Sequence, residues 1–234
     1  MLRTTMLIVL IGVAVISAVG HAQDSIFEKE AAEVPASKRG QVLGEPPTAE
    51  EPAPPTAEEP APPTSEDTHF RDARWGMSRQ QVKQLEDEDP IAEEELIVGY
   101  VDQLLGLKAG VYYVFIDNQL VRGVYGIIED HTNDNEYIAD YEDLKEALTR
   151  KYGEPEQDQV IWKSNTYRDH PDHWGMAVSM GDLTYLSTWA QSETDITLSL
   201  TGDNFESHLQ VQYTSQELEH LIEEYRQRKV DEML

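Results

Sequence analysis

The sequence predicts an α+β fold of antiparallel β-meanders with three helices, in the order helix, strands, helix, strands, helix. Three observations carry this. Val111 to Ile128, VYYVFIDNQLVRGVYGII, is a dense run of aromatic and branched apolar residues, the types that fit a pleated, buried surface. Further on, Ile196, Leu198 and Leu200 alternate with Thr197, Ser199 and Thr201, and Leu209, Val211 and Tyr213 with His208, Gln210 and Gln212. Alternation with one wet face is an antiparallel habit. Helical patterns stand before, between and after these stretches rather than between single strands, so parallel strand–helix–strand units are not expected.

Residues 1–22 read as a secretory signal peptide. Arg3 is the positive start, Met6 to Val19 the mostly apolar stretch, and Gly20-His21-Ala22 the small-residue cleavage site before Gln23. Fourteen helical residues span about 21 Å, short of the roughly 30 Å hydrocarbon core, which favours cleavage over a retained anchor. Residues 23–68 form a Pro/Glu-rich linker in which Thr48-Ala49-Glu50-Glu51-Pro52-Ala53-Pro54-Pro55 recurs unchanged at 56–63. Such a repeat lacks the apolar surface to offset ordering entropy. As extended polyproline II, residues 45–64 would reach about 60 Å. A passive spacer and a proline-motif ligand are both open readings.

A single domain is expected over 69–234, roughly 165 residues and enough for one full core. Ser78 at the N-cap and Gln81 three residues on make a capping box, and Met77 and Val82 occupy the staple positions. The helix so started turns Val82 and Leu85 inward and should stop before Pro90. Glu94 to Val101 reads as a strand, followed by the central hairpin turning at Asp117-Asn118, residues that tolerate positive φ. Both parities of this hairpin are apolar, so both of its faces should be covered. Tyr137, Tyr141, Leu144, Leu148 and Tyr152 recur at helical spacing from about Glu136, with Gly153 and Pro155 as the stop. Val160 to Lys163 reads as a strand and Ser164 to His173 as a polar loop. From Trp174 the pattern reads as period two, through Met176, Val178 and Met180, with Gly181-Asp182 as a type II′ turn into Leu183–Ala190. Gly202-Asp203-Asn204 reads as loop. Thr214-Ser215-Gln216-Glu217 is a second capping box, opening a helix with Leu218, Leu221, Ile222 and Tyr225 on its apolar stripe.

Charge and composition exclude several functions. The net charge is −27, and from His69 onward 34 acidic residues stand against 14 basic ones. That field repels phosphate backbones and anionic headgroups, so neither nucleic acid nor an anionic membrane surface is an expected partner. There is no cysteine, which removes disulfides, thiolate catalysis, thiolate metal sites and a lipidated N-terminal cysteine.

The run Phe70 to Val82, FRDARWGMSRQQV, resembles the Gly-Met-Ser/Thr helix start of small bacterial envelope proteins of the SmpA/OmlA type. Used twice, the order of helix and then meander is also similar to the β-lactamase-inhibitor-protein-like fold. Trp75-Gly76-Met77-Ser78 and Lys151-Tyr152-Gly153-Glu154-Pro155 together look like motifs of uncharacterised exported bacterial proteins. The chain departs from the SmpA/OmlA type in length and in lacking an acylation cysteine. The resemblance implies a non-catalytic, protein-binding role in the envelope and assigns no residue roles.

Candidate chemistry is sparse. Asp169, His170, Asp172 and His173 bring two imidazoles and two carboxylates within five residues, a set able to ligate zinc. Their spacing fits no standard metal motif, and a polar surface turn explains them equally. Asp130, Thr132, Asp134 and Glu136 alternate like calcium ligands, but the pattern has Asn135 at position six and Tyr141 at position twelve, where an EF-hand requires glycine and glutamate. N-cap donors for the following helix are the competing reading. Trp75, Trp162, Trp174 and Trp189 can line a groove or pack in the core. No Gly-x-Ser-x-Gly, phosphate loop or His-Glu-x-x-His is present. The leading expectation is an exported, periplasmic or secreted, interaction module that takes no cofactor and binds another envelope protein. Its expected contact surface is the neutral wet face, at Thr197, Ser199, Gln210 and Gln212. The alternative is a metal-dependent or carboxylate hydrolase using Asp169, His170, Asp172 and His173.

Overall fold

The computed structural model describes residues 68–233. The signal segment expected over 1–22, and all but the last residue of the linker expected over 23–68, lie outside the described residues. The first helix begins as its sequence dictates. Ser78 Oγ accepts from the Gln81 amide while the Gln81 side chain accepts from the Ser78 amide, completing the capping box of α1 (Arg79–Lys83). The helix is shorter than expected, capped at Gln84 well before Pro90. A two-residue strand β1 (Ala92–Glu93) then pairs with β2 (Ile97–Leu104), which starts three residues later than its pattern suggests. β3 (Leu107–Ile116) and β4 (Gln119–Ile127) form the central hairpin, turning at Asp117-Asn118 with φ of 49° and 61°.

α2 (Asn135–Tyr152) follows, ending at Gly153 with φ 90°. Next come β5 (Gln157–Trp162), a single 3-10 turn at Pro171–His173 and a short helix α3 (Trp174–Ser179). β6 (Leu183–Ala190), β7 (Thr194–Asp203), β8 (Glu206–Ser215) and the terminal helix α4 (Glu219–Met233) complete the chain. Helix α3 replaces the strand expected through Met176 and Val178, so the described residues hold four α-helices rather than three. Gly175 is the reason. A Cβ there would lie 2.3 Å from the Asp134 carbonyl carbon, so its absence lets α3 press against the start of α2. The Gly175 amide also donates to Asn135 Oδ1 at 2.6 Å. Local alternation cannot report that contact.

All eight strands form one antiparallel sheet in the order β1-β2-β3-β4-β8-β7-β6-β5. Each half is a four-stranded meander, and the halves join where their last strands pair, Arg122 opposite Thr214 through Gly126 opposite Gln210. Residues opposite one another share a face. Val98, Tyr113, Gly123, Tyr213, Ile196 and Trp189 therefore make one row across six strands. This face carries the core, sealed by Phe70 and Ala73 of the N-terminal loop, Val82 of α1, Tyr141, Leu144 and Leu148 of α2, and Ala177 and Val178 of α3. On the opposite face one row runs Gly99, Tyr112, Val124, Gln212, Thr197, Thr188 and Gln157. Its first-half end is crossed by α4, whose Ile222 is buried and whose Arg228 pairs with Asp117 at 3.2 Å. Among the described residues no helix is long and apolar enough to cross a membrane.

Candidate functional site

The second-half meander leaves one face of the sheet without a helix over it. The registers bring the four expected contact residues together there, Thr197 opposite Gln212 and Ser199 opposite Gln210. Thr188 and Leu186 continue these rows on β6, and Gln157 and Gln159 on β5. No charged side chain interrupts these two rows; the nearest acid on β7 is Asp195, opposite Thr214. Exposure within the set is uneven. Thr197 and Gln210 are half-buried, but Ser199 and Gln212 are only 7% and 3% exposed. Gln212 sits between Thr197 and Val124, and Ser199 is a short side chain between Leu186 and Gln210, so neighbours on both sides cover them. The accessible part of the face is thus carried by Thr188, Thr197, Gln210 and the β5 glutamines. Where the face meets α4, Arg122 is buried among Glu219, Glu223 and Arg226 and donates to Thr214 Oγ1 at 3.1 Å. Burial pulls its guanidinium down to about 10, and Arg226 adds to the effect against the two glutamates.

The residues suggested for a zinc site do not assemble one. Asp169, His170, Asp172 and His173 are all exposed, spread along a turn and the 3-10 segment, with the two imidazole rings 6.4 Å apart. Among the described residues no three His, Asp or Glu side chains gather as a metal-holding group. The physical reason is Pro171, which opens the 3-10 turn between the histidines and leaves the four side chains pointing outward. The calcium-like stretch is likewise a helix entry. Asn133 Oδ1 accepts from the Asn135 amide, and Asp134 Oδ2 accepts from Ser179 Oγ at 3.3 Å. All four tryptophans belong to the packing. Trp189 is buried and donates to the Gly153 carbonyl, Trp75 donates to Thr194 Oγ1 at 2.9 Å, and Trp162 and Trp174 meet edge to face.

One network of ionisable groups lies in the second half. The Tyr141 hydroxyl donates to Ser187 Oγ at 2.6 Å, Ser187 donates to Asp158 at 2.8 Å, and Lys145 reaches the same carboxylate at 3.4 Å. Ser187 is 0% exposed. The hydrogen-bonded run ties α2 to β5 and β6.

Behind the open face, on the covered side, a cleft of about 690 Å³ opens at the seam between the two halves. Its walls are the N-terminal loop from Thr68 to Arg74, the end of α2 at Lys151 and Tyr152, and the β6–β7 turn from Gln191 to Thr194. Tyr125, Ile196 and Tyr213 of the sheet form its floor. Phe70 packs 5.1 Å from Tyr125 and 5.3 Å from Tyr213, ring centre to ring centre, and Tyr213 lies 6.4 Å from Tyr152. Burial, reinforced by Tyr152, pushes the Tyr213 phenol far above its ordinary range. Arg71 is held between Asp102 at 2.6 Å and Glu86 at 3.1 Å; burial opposes its charge, and these two carboxylates outweigh burial. His69 bonds Glu193 at 2.5 Å and stacks on Trp75. The sequence hid this cleft because its parts come from five separate stretches. The one local signal is the Phe70–Trp75 run, which also reads as the lead-in to a helix.

The chain matches no family model, no curated protein and no solved structure. The fold and the two surfaces define an α+β domain whose single sheet carries its helices mainly on one side.

Proposed function

We propose that the protein is an exported, non-catalytic interaction module that docks another envelope protein through the uncharged half of its open sheet face. The observation that supports this best is a polar but charge-free surface, at Thr188, Thr197, Gln210 and the β5 glutamines, on a chain of net charge −27. A partner can cover hydroxyls and amides without stripping water from ionised groups, and depletion of charge is the compositional mark of an interface centre. The signal-like N-terminus and the resemblance to SmpA/OmlA-type proteins support the envelope setting. A photo-crosslinking residue at Thr197 should capture a discrete partner in envelope preparations. The double change Thr188→Arg and Gln210→Arg should abolish capture while leaving thermal unfolding unchanged. Capture that persists through those charges rules out this face.

A further inference from the structure

The cleft at the seam reverses the charge pattern of the molecule around it. From His69 onward acids outnumber bases 34 to 14, yet the cleft is lined by Arg71, Arg74 and Lys151 against one carboxylate, Glu193. Arg71 is committed to Glu86 and Asp102. Lys151 is exposed at the rim, enters no ion pair among the described residues, and holds its ammonium 4.8 Å over the Tyr152 ring. Below it lie the half-buried rings of Tyr125 and Tyr152, backed by the buried Phe70 and Tyr213, and the volume falls within the usual range for a small-molecule site. A cation on a rim above an aromatic floor matches an amphipathic anion, with charge at one end and an apolar plane at the other.

We propose that this cleft binds a small organic acid, a single carboxylate on an aromatic or otherwise planar apolar body, with the carboxylate at Lys151 and the ring against Tyr125 and Tyr152. A doubly charged phosphate fits less well. Glu193 lies in the same wall, and Lys151 sits in the last turn of α2, where the helix end is itself negative. The site is independent of the open face, which lies on the other side of the sheet.

Calorimetric titration of the full chain with 2-naphthoate, 2-naphthalenemethanol and inorganic phosphate tests this. Saturable one-site binding of the acid is expected, with the neutral alcohol about tenfold weaker or worse, as for loss of a charge-assisted contact. Phosphate should give no heat. Lys151→Gln should weaken the acid by about the same factor and leave the alcohol unchanged. Lys163→Gln, an exposed lysine at the opposite end of β6, should alter neither. Thermal melts of both variants confirm that they are folded. No heat from the acid in the millimolar range, equal binding of acid and alcohol, saturable binding of phosphate, or an acid affinity indifferent to Lys151→Gln would each overturn the proposal.

Discussion

Gly123 decides how the N-terminal loop meets the sheet. A Cβ there would stand 2.2 Å from the Phe70 ring, so Gly123→Ala must push that ring off Tyr113, Tyr125 and Tyr213. Overpacking of this kind costs about 1–3 kcal/mol, to be read as a lower urea midpoint. Phe205 is the opposite case. With Asn204 it forms the β7–β8 turn at φ 66°, and its ring is 73% exposed. A bulky side chain in the left-handed region carries strain of about 1–2 kcal/mol. Phe205→Gly should therefore raise stability by about 1 kcal/mol, after the extra chain entropy of glycine is subtracted. A lower midpoint would mean that the ring supplies contacts of its own. The Asp117-Asn118 turn was legible in sequence because its residues tolerate that conformation. The turn at Phe205 was not, because nothing about phenylalanine announces it; the Phe205 amide is held by the Ser179 carbonyl, a partner 26 positions away.

At the scale of elements, start signals that depend on a few neighbouring residues were readable, and contacts between elements were not. The capping box at Ser78 formed as its residues require. The second one shifted: Thr214 and Ser215 stay in β8, Ser215 Oγ accepts from the Leu218 amide, and α4 begins only at Glu219. Ladder pairing of Thr214 with Arg122 outweighed the local cap. Six residues of mixed polarity fit either period, so the local pattern of α3 reads equally as a strand. Gly175→Ala should separate α3 from the start of α2. It is expected to cost about 3 kcal/mol, the upper part of the overpacking range, because the obstacle is backbone rather than a mobile side chain. Proteolysis near Tyr167 should accelerate with it. Unaltered cleavage and stability would mean that the two helices are not held together at that point.

For the whole molecule, alternation in β7 and β8 foretold a wet face, and the registers placed all four expected residues on it. Alternation fixes a side but not depth, so it could not show that Ser199 and Gln212 are covered by their neighbours. The fold also sets a response to alkali. Burial, as the leading cause, raises Tyr100, Tyr112, Tyr113, Tyr125, Tyr137, Tyr141, Tyr185 and Tyr213 above the ordinary phenol value of 10.0, Tyr185 to about 12. In this pH range the folded chain binds more protons than the unfolded one, so stability falls with pH. The contribution is complete below pH 10 and is lost as pH rises from there through the folded values. The phenolate absorbance of these eight tyrosines, out of eleven in the chain, should therefore appear together with loss of near-ultraviolet circular dichroism, in one transition. Ionisation of these phenols in a chain that keeps its tertiary signal would contradict the burial.

The pairing of β4 with β8 gives the molecule one more property. Each half supplies one of the two strands whose backbone groups meet there, from Arg122 to Gly126 and from Gln210 to Thr214, and a single peptide stretch between Ile127 and Gln157 tethers them. A cut between Asp130 and Asn133 would leave two fragments, each with an edge strand, β4 in one and β8 in the other, that lacks its neighbour. Co-expressed, they should reassemble into one particle by fragment complementation, and either one alone should self-associate through its bare edge.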